Sequence, residues 1–134
     1  MILRYTILYV ADVAASLTFY EAAFGLTRGF LHDGGDYGEL VTGETKLAFS
    51  SQALMRELGK TPGQADPKSP VFEIAFEVED VSAALSRAVS AGATLVQDVR
   101  EEPWGQVTSY VSDPDGYLIE LCSAVQVDKA GSDI

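Results

Sequence analysis

The chain is poor in the residues that most often carry catalysis or cross-linking. It holds one cysteine and one histidine in 134 residues. With Cys122 alone, an intrachain disulfide is excluded, and a reducing, cytoplasmic setting is the simplest reading. Cys122 sits in an apolar strand-like run, where a free thiol ordinarily serves as a small buried hydrophobe. His32 stands beside a turn and reads as a loop histidine. The sequence offers no nucleophile triad, phosphate-cradling glycine loop or Cys/His cluster. It has no run of 18 apolar residues, which excludes a helical membrane span. Met1-Ile-Leu-Arg-Tyr5 leads straight into an alternating strand, without the basic and then apolar stretches of a secretory signal. Basic residues are few: nine Lys and Arg face twenty Asp and Glu, for a net charge of -11. That balance argues against nucleic acid and anionic membranes as partners. It suits attraction of cationic small molecules.

What the chain does have is an internal repeat. Val10-Ala-Asp-Val-Ala-Ala-Ser-Leu17 matches Val78-Glu-Asp-Val-Ser-Ala-Ala-Leu85 at an offset of 68 residues, close to half the chain. The same offset carries Tyr5 onto Glu73. Each copy opens with an alternating strand, over 5–10 and 72–78. Asp12 or Asp80 then caps a helix, its carboxylate facing the free N–H groups of the first turn. Val13, Leu17, Tyr20 and Phe24 make an apolar stripe in copy one; Val81, Ala84, Leu85 and Ala88 make one in copy two. Gly25 and Gly92 fit the position after each helix, where positive φ is needed. Three strands follow each helix, near 27–32, 37–42 and 45–50, and near 94–100, 105–111 and 117–123. A short helical run over 52–58 and a Pro- and Gly-rich stretch over 59–70 join the copies. The predicted fold class is α+β: two tandem βαβββ modules whose curved mixed sheets surround a cavity. The expected domain is a single one over 1–126, with module one near 3–50, a linker near 51–70, module two near 71–124, and a frayed tail over 127–134.

Alternation along the strands sorts the side chains. Thr6, Leu8 and Val10 are expected on the helix side, which leaves Tyr5, Ile7 and Tyr9 on the far face. Phe72, Ile74, Phe76 and Val78 pack inward, and Glu73, Ala75 and Glu77 point away. Leu47 and Phe49 pack inward, with Lys46, Ala48 and Ser50 opposite. Tyr117, Ile119 and Leu121 face the helix, with Leu118, Glu120 and Cys122 opposite. A far face of Tyr5, Ile7, Tyr9, Ala48, Glu73 and Glu120 reads as an apolar pocket lining with a few placed polar groups. The alternative is an open sheet face on which both glutamates are solvated.

Tyr5-Thr-Ile-Leu-Tyr-Val-Ala-Asp-Val13, the helix with Phe19-Tyr20 and Gly25, and Trp104-Gly105 leading to Asp113-Pro-Asp-Gly-Tyr-Leu-Ile-Glu120 carry a family resemblance. Over about 3–124 the chain resembles the glyoxalase/bleomycin-resistance/dioxygenase (vicinal oxygen chelate) superfamily. The resemblance implies four metal-ligand positions, which fall here on Tyr5, Ala48, Glu73 and Glu120. Only the two glutamates have ordinary ligand chemistry, and a phenol near pKa 10 binds metal poorly at neutral pH. Two carboxylates leave a zinc ion under-coordinated. The resemblance therefore implies the metal-free branch: an acidic, dimeric binding protein of the bleomycin-resistance type that sequesters a cationic or aromatic molecule, with no cofactor. In such dimers the first copy of one chain often faces the second copy of its partner. Tyr5, Tyr9, Trp104 and Tyr110 would supply flat stacking surfaces. The alternative is a lyase or dioxygenase using a divalent metal at Glu73 and Glu120, or a metal-free enzyme with one carboxylate as general base. Catalytic residues are unassigned.

Overall fold

A computed structural model describes residues 1–125. The expected tail over 127–134 lies outside the described residues. Two compact units divide the chain, Met1–Gln64 and a second that begins at Ala65.

The first unit runs β1 (Tyr5–Val10), α1 (Val13–Phe24), β2 (Thr27–Leu31), β3 (Tyr37–Val41), β4 (Lys46–Ser51) and α2 (Gln52–Glu57). Its sheet has the order β1-β4-β3-β2, with β1 parallel to β4 and the other pairs antiparallel. The second unit repeats the plan with β5 (Ile74–Glu77), α3 (Val81–Ser90), β6 (Thr94–Glu101), β7 (Val107–Ser112) and β8 (Leu118–Cys122), in the order β5-β8-β7-β6. β5 is parallel to β8. The predicted α+β class and the β-α-β-β-β plan of each module are thus observed.

The caps form as the sequence indicates. Asp12 Oδ1 accepts from the Ala15 N–H and Asp80 Oδ1 from the Ala83 N–H, each at 3.0 Å. Gly25 closes α1 at φ 68°, where a side chain would strain the backbone. The stripe of α1 then meets its sheet. Leu17 and Tyr20 are fully buried, and the Tyr20 ring lies 5.0 Å from that of Phe49 on β4. Burial of each such side chain stabilises the unit by about 1.5–3 kcal/mol. In the second unit Val81, Leu85 and Ala88 of α3 are buried, while Ile119 and Leu121 of β8 fill the sheet side of the core.

Three details depart from expectation. The second-copy strand is shorter than 72–78, so Glu73 stands just before it. Phe72 is not a core residue: it is 45 % exposed and lies edge-on to Tyr117, with ring centres 6.1 Å apart. Residues 105 and 106 belong to a turn, not to β7: Glu102 N–H donates to Gln106 O, and Gly105 N–H to Glu102 O.

Candidate functional site

Strand register turns the far faces into rows. In the first unit Ile7 pairs with Ala48, and Ala48 with Glu39; Tyr9 pairs with Ser50, and Ser50 with Tyr37; Tyr5 pairs with Lys46. In the second unit Ala75 pairs with Glu120, and Glu120 with Tyr110; Glu77 pairs with Cys122, and Cys122 with Thr108. Because side chains alternate across a strand, each row lies on one face.

One polar pair marks each face. In the second unit the Tyr110 hydroxyl donates to Glu120 Oε2 at 2.9 Å. Burial, then the hydrogen bond and charge of Glu120, then Glu73, push the Tyr110 phenol well above its ordinary value. Glu73 therefore lies within reach of the same hydroxyl, and the structure brings together three of the expected site residues: Glu73, Tyr110 and Glu120. Among the described residues no lysine, arginine or histidine pairs with Glu73, Glu77 or Glu120. Tyr110 stays protonated and directs its proton at a carboxylate. What this face presents is a set of carboxylate acceptors beside an aromatic ring. Cys122 belongs to the same face but is buried, with Sγ 3.6 Å from the Phe76 carbonyl. Burial, then Glu120, Glu77 and Glu73, push its thiol up, so it is no nucleophile here.

In the first unit the Tyr37 hydroxyl donates to Glu39 Oε2 at 2.8 Å, and Lys46 Nζ stands 3.7 Å from Glu39 Oε1. Burial, then Glu39, then Tyr5, push the Tyr37 phenol up. Sequence reasoning passed over both Tyr37 and Glu39. The signal was available: Tyr37 and Glu39 are two apart on one strand and so share a face. Repeat alignment hides it, because the Glu120 position of this copy is Ala48, while the carboxylate sits one strand over on Glu39 in the same row. Ala48 and Ser50, which alternation places on the far face, are both buried. β4 is central in its sheet, and its small side chains sit low between Ile7 or Tyr9 on one side and Glu39 or Tyr37 on the other. Tyr5 and Ile7 remain 47 % and 43 % exposed.

Trp104 stands in the β6–β7 turn, 42 % exposed, its indole N–H donating to Gln106 Oε1 at 2.8 Å. The turn is pinned by Glu102, whose Oε1 accepts from Arg100 Nε at 2.7 Å and from the Thr108 hydroxyl at 3.0 Å. The Arg100 hydrogen bond holds the Glu102 carboxyl below the usual range. His32 is exposed in the β2–β3 turn, with Nδ1 facing the Gly34 N–H at 3.4 Å.

The four metal positions implied by the family resemblance can be tested against these residues. Ala48 offers a buried methyl group, and Tyr5 an exposed phenol. The nearby carboxylate, Glu39, is engaged by Tyr37 and faces the Lys46 ammonium, whose charge opposes a cation. Among the described residues no three His, Cys, Asp or Glu side chains converge. The residues present do not fit a resident transition metal.

Two β-α-β-β-β modules, each with its first and last strands parallel and adjacent, define the class of fold. The chain belongs to the glyoxalase/bleomycin resistance protein/dioxygenase superfamily, whose family model matches residues 2–121. It is similar to an uncharacterised protein of Bacillus subtilis, 28 % identical over 120 residues, covering 85 % of this chain and 91 % of that one. It is also similar to a probable lactoylglutathione lyase of Vibrio parahaemolyticus, 30 % identical over 127 residues, covering 87 % and 86 %. Among solved structures, a glyoxalase-related enzyme from Fulvimarina pelagi superposes with a TM-score of 0.80 at 24 % identity, covering 99 % and 96 % of the two chains. That likeness establishes the fold.

Proposed function

We propose that the protein binds a cationic or aromatic small molecule without a resident metal, in the manner of a drug-sequestering resistance protein. The observation that supports this most is the second unit's far face. There Glu73 and Glu120 flank the Tyr110 hydroxyl, and among the described residues no basic side chain neutralises them. A protonated amine or guanidinium placed there meets carboxylates in a partly apolar setting, where a charge-assisted hydrogen bond is worth about 1.5–3 kcal/mol. Trp104 supplies a held aromatic surface elsewhere on the unit. The single thiol favours the cytoplasm as the working compartment. The apolar groups left exposed on the chain, Val71 and Phe72 among them, favour a homodimer as the working form.

Calorimetry with a bleomycin-type cationic ligand tests the reading. The parent protein is expected to bind, more weakly as salt rises. The double variant Glu73→Gln, Glu120→Gln is expected to keep the fold and lose about one to a few kcal/mol of affinity. Unchanged affinity in that variant would make the glutamates bystanders.

A lyase reading stands second, and the name of the Vibrio parahaemolyticus relative favours it. It requires activity from Glu73 and Glu120 with an added divalent ion. Turnover in a lactoylglutathione lyase assay that appears with metal and vanishes in the double variant would replace the binding reading.

A further inference from the structure

Lys60 stands apart among the charged groups of the first unit. α2 ends in a turn in which Gly59 takes φ 91°, its N–H donating to Arg56 O, and the Lys60 N–H donates back to Met55 O at 3.0 Å. That reversal aims the Lys60 side chain toward β1. Its Nζ lies 3.2 Å from the Tyr9 hydroxyl, 3.5 Å from Met55 Sδ and 5.5 Å from the centre of the Tyr9 ring. An ammonium closer to the oxygen than to the ring centre by that margin sits off the hydroxyl end, not above the ring, so the contact is chiefly a hydrogen bond and the ring face is not covered by Lys60. Both partners are uncharged. Twenty Asp and Glu face nine Lys and Arg in this chain, yet Lys60 forms no ion pair among the described residues, whereas Lys46 meets Glu39. The result is a positioned positive charge with no carboxylate on it, at the end of the strand face that carries Tyr5, Ile7 and Tyr9.

We propose that Lys60 is a specificity-determining residue: it makes the Tyr9 end of the β1 face accept ligands that carry an anionic group, and turn away aromatic cations. The net charge of the chain does not reverse this. Charges beyond a Debye length of about 8 Å are largely screened at physiological ionic strength, so an ammonium 3.2 Å from the Tyr9 hydroxyl weighs more there than the distributed net charge. The inference concerns the first unit and stands whether or not the glutamates of the second unit bind a cation.

The test uses benzoate and benzamidine, two aromatic probes of similar shape and opposite charge, titrated separately into the full chain. The readout is the NMR shifts of the Tyr9 ring, the ring that Lys60 touches. Benzoate is expected to move these signals with an affinity about three- to fivefold above that of benzamidine, the scale of one exposed ion pair. In Lys60→Gln the preference should fall to near unity, and in Lys60→Glu it should invert. Equal affinities in the parent, a preference unchanged in Lys60→Glu, or no response of the Tyr9 ring to either probe would each overturn the proposal. Benzamidine binding elsewhere, lost in the Glu73→Gln, Glu120→Gln variant, would bear on the second unit alone.

Discussion

At the residue scale, the two Tyr–Glu pairs are the most informative contacts in the molecule. A phenol that donates to a carboxylate from a partly buried site loses its proton reluctantly, since ionisation would bury a second negative charge beside the first. Tyr37 and Tyr110 are both raised above the ordinary value of 10.0 for this reason. The sign of the pH dependence follows. A group whose folded pKa is raised contributes stability that is fully present below the unfolded value, near 10, and is lost as pH rises through the folded value. Stability should therefore fall above about pH 10. In a phenolate absorbance titration, at least two of the six tyrosines should respond late, and the delayed component should shrink in Tyr37→Phe, Tyr110→Phe. An identical profile in that variant would contradict the assignment. Either single change also leaves a carboxylate without its donor and should cost about 1–3 kcal/mol of stability.

At the scale of elements, close approach between α1 and β3 holds the first unit's sheet in place. Gly38 is buried, and a Cβ there would come 2.7 Å from Leu17 Cδ1, 3.1 Å from Val13 Cγ1 and 3.2 Å from the Phe30 carbonyl oxygen. Leu17 and Val13 are themselves buried, so neither side chain can yield without disturbing the core. Gly38→Ala should destabilise by about 1–3 kcal/mol through overpacking. Gly63 has open space around the corresponding point, and Gly63→Ala should lie within about 0.5 kcal/mol of the parent. Urea unfolding of the two variants checks the contrast; equal midpoints would show that the β3–α1 contact is looser than the geometry indicates. Much at this scale was readable in advance. Asp12 and Asp80 marked the starts of α1 and α3, Gly25 marked one helix end, and period-two and period-3.6 patterns separated strands from helices. The Glu102–Gln106 turn was not, because its pinning depends on Thr108 meeting Glu102 across the hairpin, with Arg100 on the same carboxylate from the β6 side.

At the scale of the whole molecule, the proposal of a homodimer has a direct check. Sedimentation equilibrium at micromolar concentration should return a mass near twice 14.3 kDa. A species of single-chain mass across that range would remove the dimer from the proposed function. Exposure of the adjacent Val71 and Phe72, at 96 % and 45 %, is the observation behind the expectation, since neighbouring exposed apolar groups carry a hydration cost that association relieves.

The sequence by itself determined the duplication, the order of elements and the family, because caps, turns and hydrophobic period are local and a repeat doubles each signal. It also determined that Ala48 brings no ligand, a fact of residue type alone. Only the tertiary structure decided which strand carries the first unit's carboxylate. Glu39 and Ala48 lie nine positions apart in the chain and become neighbours through the β3–β4 register. Register likewise placed Tyr110 beside Glu120, and a left-handed Gly59 turned Lys60 back onto Tyr9. These are non-local pairings, set by how strands align and chains reverse, and alternation within one strand assigns a face to a side chain without saying what stands next to it.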